Sequence, residues 1–375
     1  MRKKVDKRRI YGIIMYRFWI DTAKRHENGC MIMEKKRYGV VLIGCGHIGE
    51  QHIADIYYRD NVRIVGVVDY NVSAAQAFAR RYSGGEAVEY DTDYHRFLAR
   101  ADVDIVIIAS YAGTHLSILR DCLAAGKHVL CEKPMTADIK DAPEFCRLVR
   151  ASSCKVLIAH ILRHNQTYRR AAEMIYAGMI GDVRVIRMSQ NHHIMDRERY
   201  MHLLRDCSPI VDCGVHYVDV VRWFTGLEIV GVSGNGAVID PTIPDGAYDY
   251  GMIHMRLSNG GTATYEASWS ESTASENRKE FIGTKGRIRL TLAEFRREDK
   301  EEGDLIEYYD REMGEYHTIN VRCKYKDMYA QFSCLVDMIE NNAPGSPSLE
   351  DALTAFRIVS ECDEMIRSQI GLCTK

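Results

Sequence analysis

The sequence predicts an α/β protein with a doubly wound parallel sheet, followed by an α+β domain with a large, mostly antiparallel open sheet. Three observations carry this expectation. Residues 38–160 alternate short apolar runs with helical segments, the pattern of a parallel sheet covered on both faces. Gly44-Cys45-Gly46-His47-Ile48-Gly49 stands where the first strand meets the first helix. After residue 160 the rhythm changes to longer strand-like stretches joined by tight turns.

The first half has apolar runs at Tyr38–Ile43, Ile64–Val68, Ile105–Ala109, Val129–Cys131 and Val156–Ala159. Helical segments fall between them at 47–59, 73–82, 93–100, 114–125 and 138–151. Right-handed crossovers place the ligand crevice of such a sheet at the carboxyl ends of its strands. The second half opens with a helix over 165–177, a strand over 182–192 and a helix over 209–225. Ala247–Leu257 and Thr262–Trp269 flank Ser258-Asn259-Gly260-Gly261, a hairpin signal. Phe281–Ile282 with Arg287–Leu290, and Glu307–Tyr309 with Tyr316–Val321, read as further pairs. The charged run Arg296–Gly303 reads as a solvated turn. Helices at 326–341 and 349–368 close the chain around Ala343-Pro344-Gly345-Ser346-Pro347. The expected organisation is an extension over 1–36, a nucleotide domain over 37–160, an α+β substrate and oligomerisation domain over 161–345, and a last helix over 346–375 that packs back on the body.

The glycine motif has a mechanism in this context. The first glycine permits the tight turn, the second lets backbone approach a pyrophosphate, and the third brings helix against strand. The helix N-terminus offers free N–H groups and partial positive charge to the phosphates. The second strand ends in Asp69, whose carboxylate suits the adenosine ribose hydroxyls and repels a 2′-phosphate. Tyr70-Asn71 brings no cation to offset that repulsion. These residues predict a Rossmann domain binding NAD in preference to NADP. Gly44, Cys45, Gly46, His47, Ile48, Gly49 and Asp69 are the expected cofactor contacts.

Composition sets outer limits. A chain of 375 residues accommodates two domains, and a formal charge of −2 gives no sign of a nucleic-acid or acidic-membrane partner. Twelve cysteines without a CxxC pair read as reduced thiols of a cytoplasmic protein. Met1–Arg9 carries six Lys/Arg, and Ile10–Tyr16 is apolar but too short to span a bilayer. The preferred reading is an extension outside the fold, with Met31 and Met33 as alternative starts just before the first strand; a signal peptide or interfacial helix is the other reading.

Three features carry chemistry beyond the nucleotide fold. Glu132-Lys133-Pro134 ends a sheet strand, so Lys133 projects where a nicotinamide would lie. Its ammonium can stabilise an alkoxide, and burial beside a cationic ring would lower its pKa. Taken alone it reads as a solvated charge; with the glycine motif the catalytic reading prevails. Glu132 is a cofactor contact, an orienter of Lys133, or a brace for the turn. In Ser208-Pro209…Asp212-Cys213-Gly214-Val215-His216, Ser208 suits an N-cap and Pro209 the first helical position. Asp212 and His216 then share a helix face, with His216 a natural proton acceptor near neutral pH. The alternatives are a surface ion pair or two metal ligands with Cys207, but no compact further ligands stand out and no metal is expected. Ser110 and His115, after the strand Ile105–Ala109, are candidate cofactor contacts; His115 reads equally as a local helix-start bond. Arg163, His192, His193 and Tyr200 are candidate substrate contacts, the polar Asn191-His192-His193 suiting sugar hydroxyls.

In order and spacing, Gly44–Gly49, Gly126 through Pro134, and Asp212 through His216 with Asp219 beyond resemble the glucose–fructose oxidoreductase / inositol dehydrogenase / MocA family. The resemblance covers about residues 38 to 370. It implies a Rossmann domain followed by an open-sheet domain through which members assemble as homodimers or homotetramers. It maps the catalytic lysine to Lys133, the helix aspartate to Asp212 and the histidine to His216, and makes Lys133–Pro134 a candidate cis bond. Cys207-Ser208-Pro209 stands where many members carry a glycine-rich run, which bears on substrate shape. The implied reaction is NAD-dependent oxidation of a secondary hydroxyl of a sugar, cyclitol or glycoside. Two alternatives remain: redox-neutral glycoside cleavage through a transient ketone, and a sugar- or nucleotide-sensing regulator without catalysis.

Overall fold

The computed structural model describes residues 36–192, 197–295 and 303–373. The expected extension over 1–36 (save its last residue), Met31, Met33, His193 and most of the charged run at 296–303 lie outside these residues.

The first sheet is built from β1 (Tyr38–Ile43), β2 (Val62–Val68), β3 (Glu89–Asp91), β4 (Ile105–Ile108), β5 (His128–Cys131) and β6 (Val156–Ile158). All its pairs are parallel, in the order β3-β2-β1-β4-β5-β6. The order reverses between β1 and β4, the switch point where such sheets open a crevice. Alternate residues on β1 serve opposite faces: Val40 and Leu42 join one apolar cluster, Val41 and Ile43 the other. The helices are α1 (His47–Ile56), α2 (Val72–Tyr82), α3 (His95–Leu98), α4 (Ala112–Ala124) and α5 (Ala142–Ala151). The helix expected at 93–100 is a single turn. The one expected at 138–151 starts with a separate 3₁₀ turn at Ile139–Asp141, because Pro143 sits in the first turn of α5.

The second half contains α6 (Gln166–Tyr176), β7 (Val183–Asn191), α7 (Arg197–Asp206), α8 (Pro209–Thr225), β8 (Ile229–Ala237), β9 (Tyr250–Leu257), β10 (Thr262–Ser268), β11 (Lys279–Gly283), β12 (Gly286–Thr291), β13 (Asp304–Asp310), β14 (Glu315–Val321), α9 (Met328–Asn341) and α10 (Leu349–Cys373). The eight strands run β14-β13-β12-β11-β7-β10-β9-β8, antiparallel except for β7 beside β10. Helix α8 lies on the buried face of this sheet and is enclosed nearly all round. Ser208 Oγ accepts from the Val211 N–H at 3.1 Å to cap its start, and Gly226 ends it in the left-handed conformation at φ +64°. Helix α10 packs on α8 and β8. Glycines let it lie close: a Cβ at Gly236 would stand 2.4 Å from Ile366 Cγ2. Helix α9 crosses back to α1, and its Phe332 and Leu335 join the apolar cluster of the first sheet. The larger cluster contains side chains from both sheets, from Val41 to Phe281, so one core underlies the crevice.

Candidate functional site

The glycine loop joins β1 to α1 at the switch point. Gly44 has φ +103°, and a Cβ there would meet Ala109 O at 2.5 Å. A Cβ at Gly49 would stand 2.1 Å from Gly44 O, the close helix–strand approach expected of the third glycine. A Cβ at Gly46 would meet no atom within 4 Å, and Gly46 gives α1 no side-chain cap. Open space beside Gly46 at an uncapped helix start fits a pyrophosphate. His47 is exposed beside Gln51, and Ile48 packs inward. Asp69, at the end of β2, accepts from Cys45 N–H at 2.9 Å through Oδ2 and from Asn71 N–H at 2.9 Å through Oδ1. The carboxylate is thereby fixed against the loop with a lone pair on each oxygen still available for ribose hydroxyls.

Three expected cofactor contacts have other engagements. His115 is buried; its Nδ1 lies 3.0 Å from Pro134 O and its Nε2 3.1 Å from Ser110 O. Burial lowers its pKa, so the ring ties the end of β4 to the lysine turn as a neutral bolt, and the local-bond reading holds. Glu132 is buried too. Its Oε1 lies 2.8 Å from His52 Nε2 and its Oε2 accepts from Lys133 N–H at 3.2 Å. Burial alone would raise its pKa, but the His52 bond and the Lys133 charge hold it below the usual carboxylate value. It braces the turn from inside. Ser110 Oγ lies 2.7 Å from Thr114 Oγ1 at the exposed mouth.

Lys133 reaches from this turn, whose Lys133–Pro134 bond is cis, to the second half. Its Nζ donates to Asp212 Oδ1 at 2.6 Å and to Asp212 O at 3.0 Å. Burial pulls the lysine pKa down, yet the adjoining Asp212 carboxylate outweighs it and the amine is held above its ordinary value. This departs from the expected lowering. Asp212 is correspondingly lowered against its own desolvation. One turn along α8, His216 is held well below the ordinary histidine value by burial, then by the charge of Lys133, His160 and Lys326. This favours the neutral imidazole, and among the described residues its Nδ1 has no hydrogen-bond partner. Asp212 therefore serves Lys133 rather than setting the tautomer of His216. The neighbour of His216 is His160, at the end of β6, with ring centroids 5.5 Å apart and planes at 83°.

The candidate substrate contacts divide. His192, directly after β7, is half-buried, and burial lowers its pKa, with the charges of Asp212, Lys279, Lys326 and Lys133 also acting on it. Arg163 is engaged within the fold. Its guanidinium holds the buried Asp219 through two bonds of 2.8 and 2.7 Å and lies 3.3 Å from Asp351, tying α8 to α10. Tyr200 packs its ring on Trp269 at 5.4 Å in a small cluster with Leu203, Leu204 and Ile243. Among the described residues no group of three His, Cys, Asp or Glu side chains is close enough to hold a metal. Sequence reasoning missed His160, Asn277, Tyr325 and Lys326. None belongs to a spaced motif, and only the topology brings them to the crevice.

The comparisons extend over both halves. A family profile described as the oxidoreductase family with an NAD-binding Rossmann fold matches residues 38–160, and the GFO/IDH/MocA C-terminal domain matches 168–289. An inositol 2-dehydrogenase 2 of Mycolicibacterium vanbaalenii is 30% identical over 256 residues, 68% of this chain and 72% of that protein. An inositol 2-dehydrogenase of Rhizobium meliloti is 28% identical over 88% of this chain and 96% of its own. Among solved structures, scyllo-inositol dehydrogenase of Lactobacillus casei with bound NAD(H) and scyllo-inositol superposes with a TM-score of 0.73, at 23% identity, over 89% of this chain and 98% of that one. Among the described residues no helix is long and apolar enough to cross a membrane.

Proposed function

This chain belongs to the glucose–fructose oxidoreductase / inositol dehydrogenase / MocA family of NAD-binding oxidoreductases, and from that premise we propose that it oxidises a secondary hydroxyl of a cyclitol or sugar to the ketone. The observation that carries the reading is the 2.6 Å contact between Lys133 and Asp212 across the crevice, with His216 one helical turn away. Bound NAD⁺ supplies the hydride acceptor. Everything else falls to the chain's own groups. The open helix start at Gly46 and the Asp69 carboxylate position the dinucleotide, the latter favouring NAD over NADP. His216, kept neutral, takes the hydroxyl proton. The Lys133 ammonium, kept charged by Asp212, donates to the substrate oxygen as negative charge grows on it. Asp212 and Glu132 fix Lys133 from two sides, and His192 meets a neighbouring hydroxyl.

The relatives' names support a polyol ring as substrate. The open face of the second sheet carries Arg187, Glu280 and Arg289 and suits a second copy of the chain, so we propose a homodimer or homotetramer. The described cysteines form no disulfides, which accords with a cytoplasmic protein. Incubation with NAD⁺ and a panel of inositols, sugars and glycosides tests the reaction. NADH absorbance with a product two hydrogens lighter is expected. Release of an aglycone without accumulated NADH would contradict net oxidation.

A further inference from the structure

Residues 323–328 form a strap between β14 and α9. Asn165 Nδ2 donates to Tyr325 O at 3.0 Å. Asp55 on α1 holds the strap twice, accepting from Lys324 Nζ at 2.8 Å and from Met328 N–H at 3.2 Å. Asp55 follows His52 by three residues, so the two share a helix face. His52 is the partner of Glu132, and Lys133 follows Glu132 in the chain. The strap thus carries Lys326 across the helix face that anchors the lysine turn. Its charge acts on Glu132, His216 and His192, and it feels Lys133 and Asp212 in turn.

Lys326 nevertheless has no ion pair and no hydrogen bond among the described residues. The carboxylates around it are engaged elsewhere: Glu132 with His52 and the Lys133 amide, Asp212 with Lys133. Glu294, beyond β12, interacts with Lys326 only at long range and is itself exposed. The floor next to the strap is also rich in donors. Asn277, 8% exposed, lies against the Tyr325 phenol, yet its Nδ2 makes no well-formed hydrogen bond. Behind it the fully buried Lys279 donates to Ser189 O at 3.0 Å. Two amines, Lys133 and Lys326, therefore share the crevice with one carboxylate, Asp212, that Lys133 already holds, while burial pulls the Lys326 pKa down. An oxidised nicotinamide adds one more positive charge. A neutral polyol leaves that imbalance standing, whereas an anionic substituent closes it and satisfies the open donors.

We propose that Lys326 and Asn277 form an anion subsite beside the reacting carbon, which takes a carboxylate or phosphate carried by the substrate. The inference rests on the oxidoreductase reading and narrows it to acidic sugars or cyclitols. The test measures NADH formation by the full chain on glucose, glucuronate and glucose 6-phosphate. In parallel, calorimetry measures binding of the same three compounds to the NADH complex. One acidic member should exceed glucose in kcat/KM by about tenfold or more, and which one does so separates carboxylate from phosphate. Lys326→Met should cut the acid-to-neutral ratio by about tenfold, and Lys326→Arg should restore most of it. Equal ratios in the wild type and Lys326→Met overturn the subsite, as does a loss confined to NAD⁺ affinity. Tight binding of an acidic sugar without turnover keeps the subsite and breaks the oxidoreductase reading instead.

Discussion

The side chains that hold the glycine loop and the lysine turn differ from those of the second half in how their polar atoms are partnered. On the nucleotide side, Asp69, Glu132 and His115 each direct both side-chain polar atoms to protein partners. On the substrate side, His216 Nδ1, Asn277 Nδ2 and Asn191 Oδ1 are buried without a well-formed partner, whereas on the nucleotide side Gln51 Oε1 and His52 Nδ1, likewise open, belong to the supporting helix α1. Buried polar atoms left open are costly and rare, so each of them calls for an explanation. The contrast teaches that the first half is a preformed seat, fixed before the cofactor arrives. On the proposed reading, the second half is finished by its substrate.

Substitutions can break this contrast at either end. The largest effect is expected at Lys133, which links the halves. Lys133→Met should lower kcat by about 10³-fold, with NAD⁺ affinity within about threefold of wild type as read by fluorescence titration. His216→Asn should cost about 10²-fold or more in kcat. It should also remove the acid limb of the kcat/KM profile. In the wild type that limb should fall below the ordinary histidine pKa of about 6.5, because the lowered pKa keeps the base unprotonated to lower pH. A limb at or above that value would show that another group supplies the base.

On the nucleotide side the two glycines separate fold from binding. Gly44→Ala meets Ala109 O and forces a side chain at φ +103°, so it should cost about 1–3 kcal/mol in chemical denaturation. Gly46→Val projects into open space and should leave stability nearly unchanged while weakening NAD⁺ binding. The smallest change is expected from Asp69→Ala, which should lower the NAD-over-NADP preference by about tenfold without affecting kcat.

The two halves also differed in how far they could be read from sequence. The parallel strands announce themselves because burial on both faces makes them continuous apolar runs, as at Ile105–Ile108. Edge strand β3 has only Glu89-Tyr90-Asp91 and no such signal. Strand β8 is interrupted by glycines whose reason, the passage of α10, is tertiary. Helix α7 is too polar to show an apolar stripe. At the site, Lys133, Asp212 and His216 were legible because each belongs to a spaced motif. The true partner of Arg163 lies 56 residues along the chain in Asp219, and Asn277 meets Tyr325 only because the strap passes there. Such pairings are set by topology, which local spacing does not encode.

The central claim is that an ammonium from the first half and a neutral imidazole from the second act on one hydroxyl. A crystal structure of the chain with NADH and a turned-over polyol tests it most directly. The reacting oxygen should lie about 2.6–3.2 Å from both Lys133 Nζ and a ring nitrogen of His216. A substrate whose reacting oxygen touches neither group, or only the lysine, would contradict it.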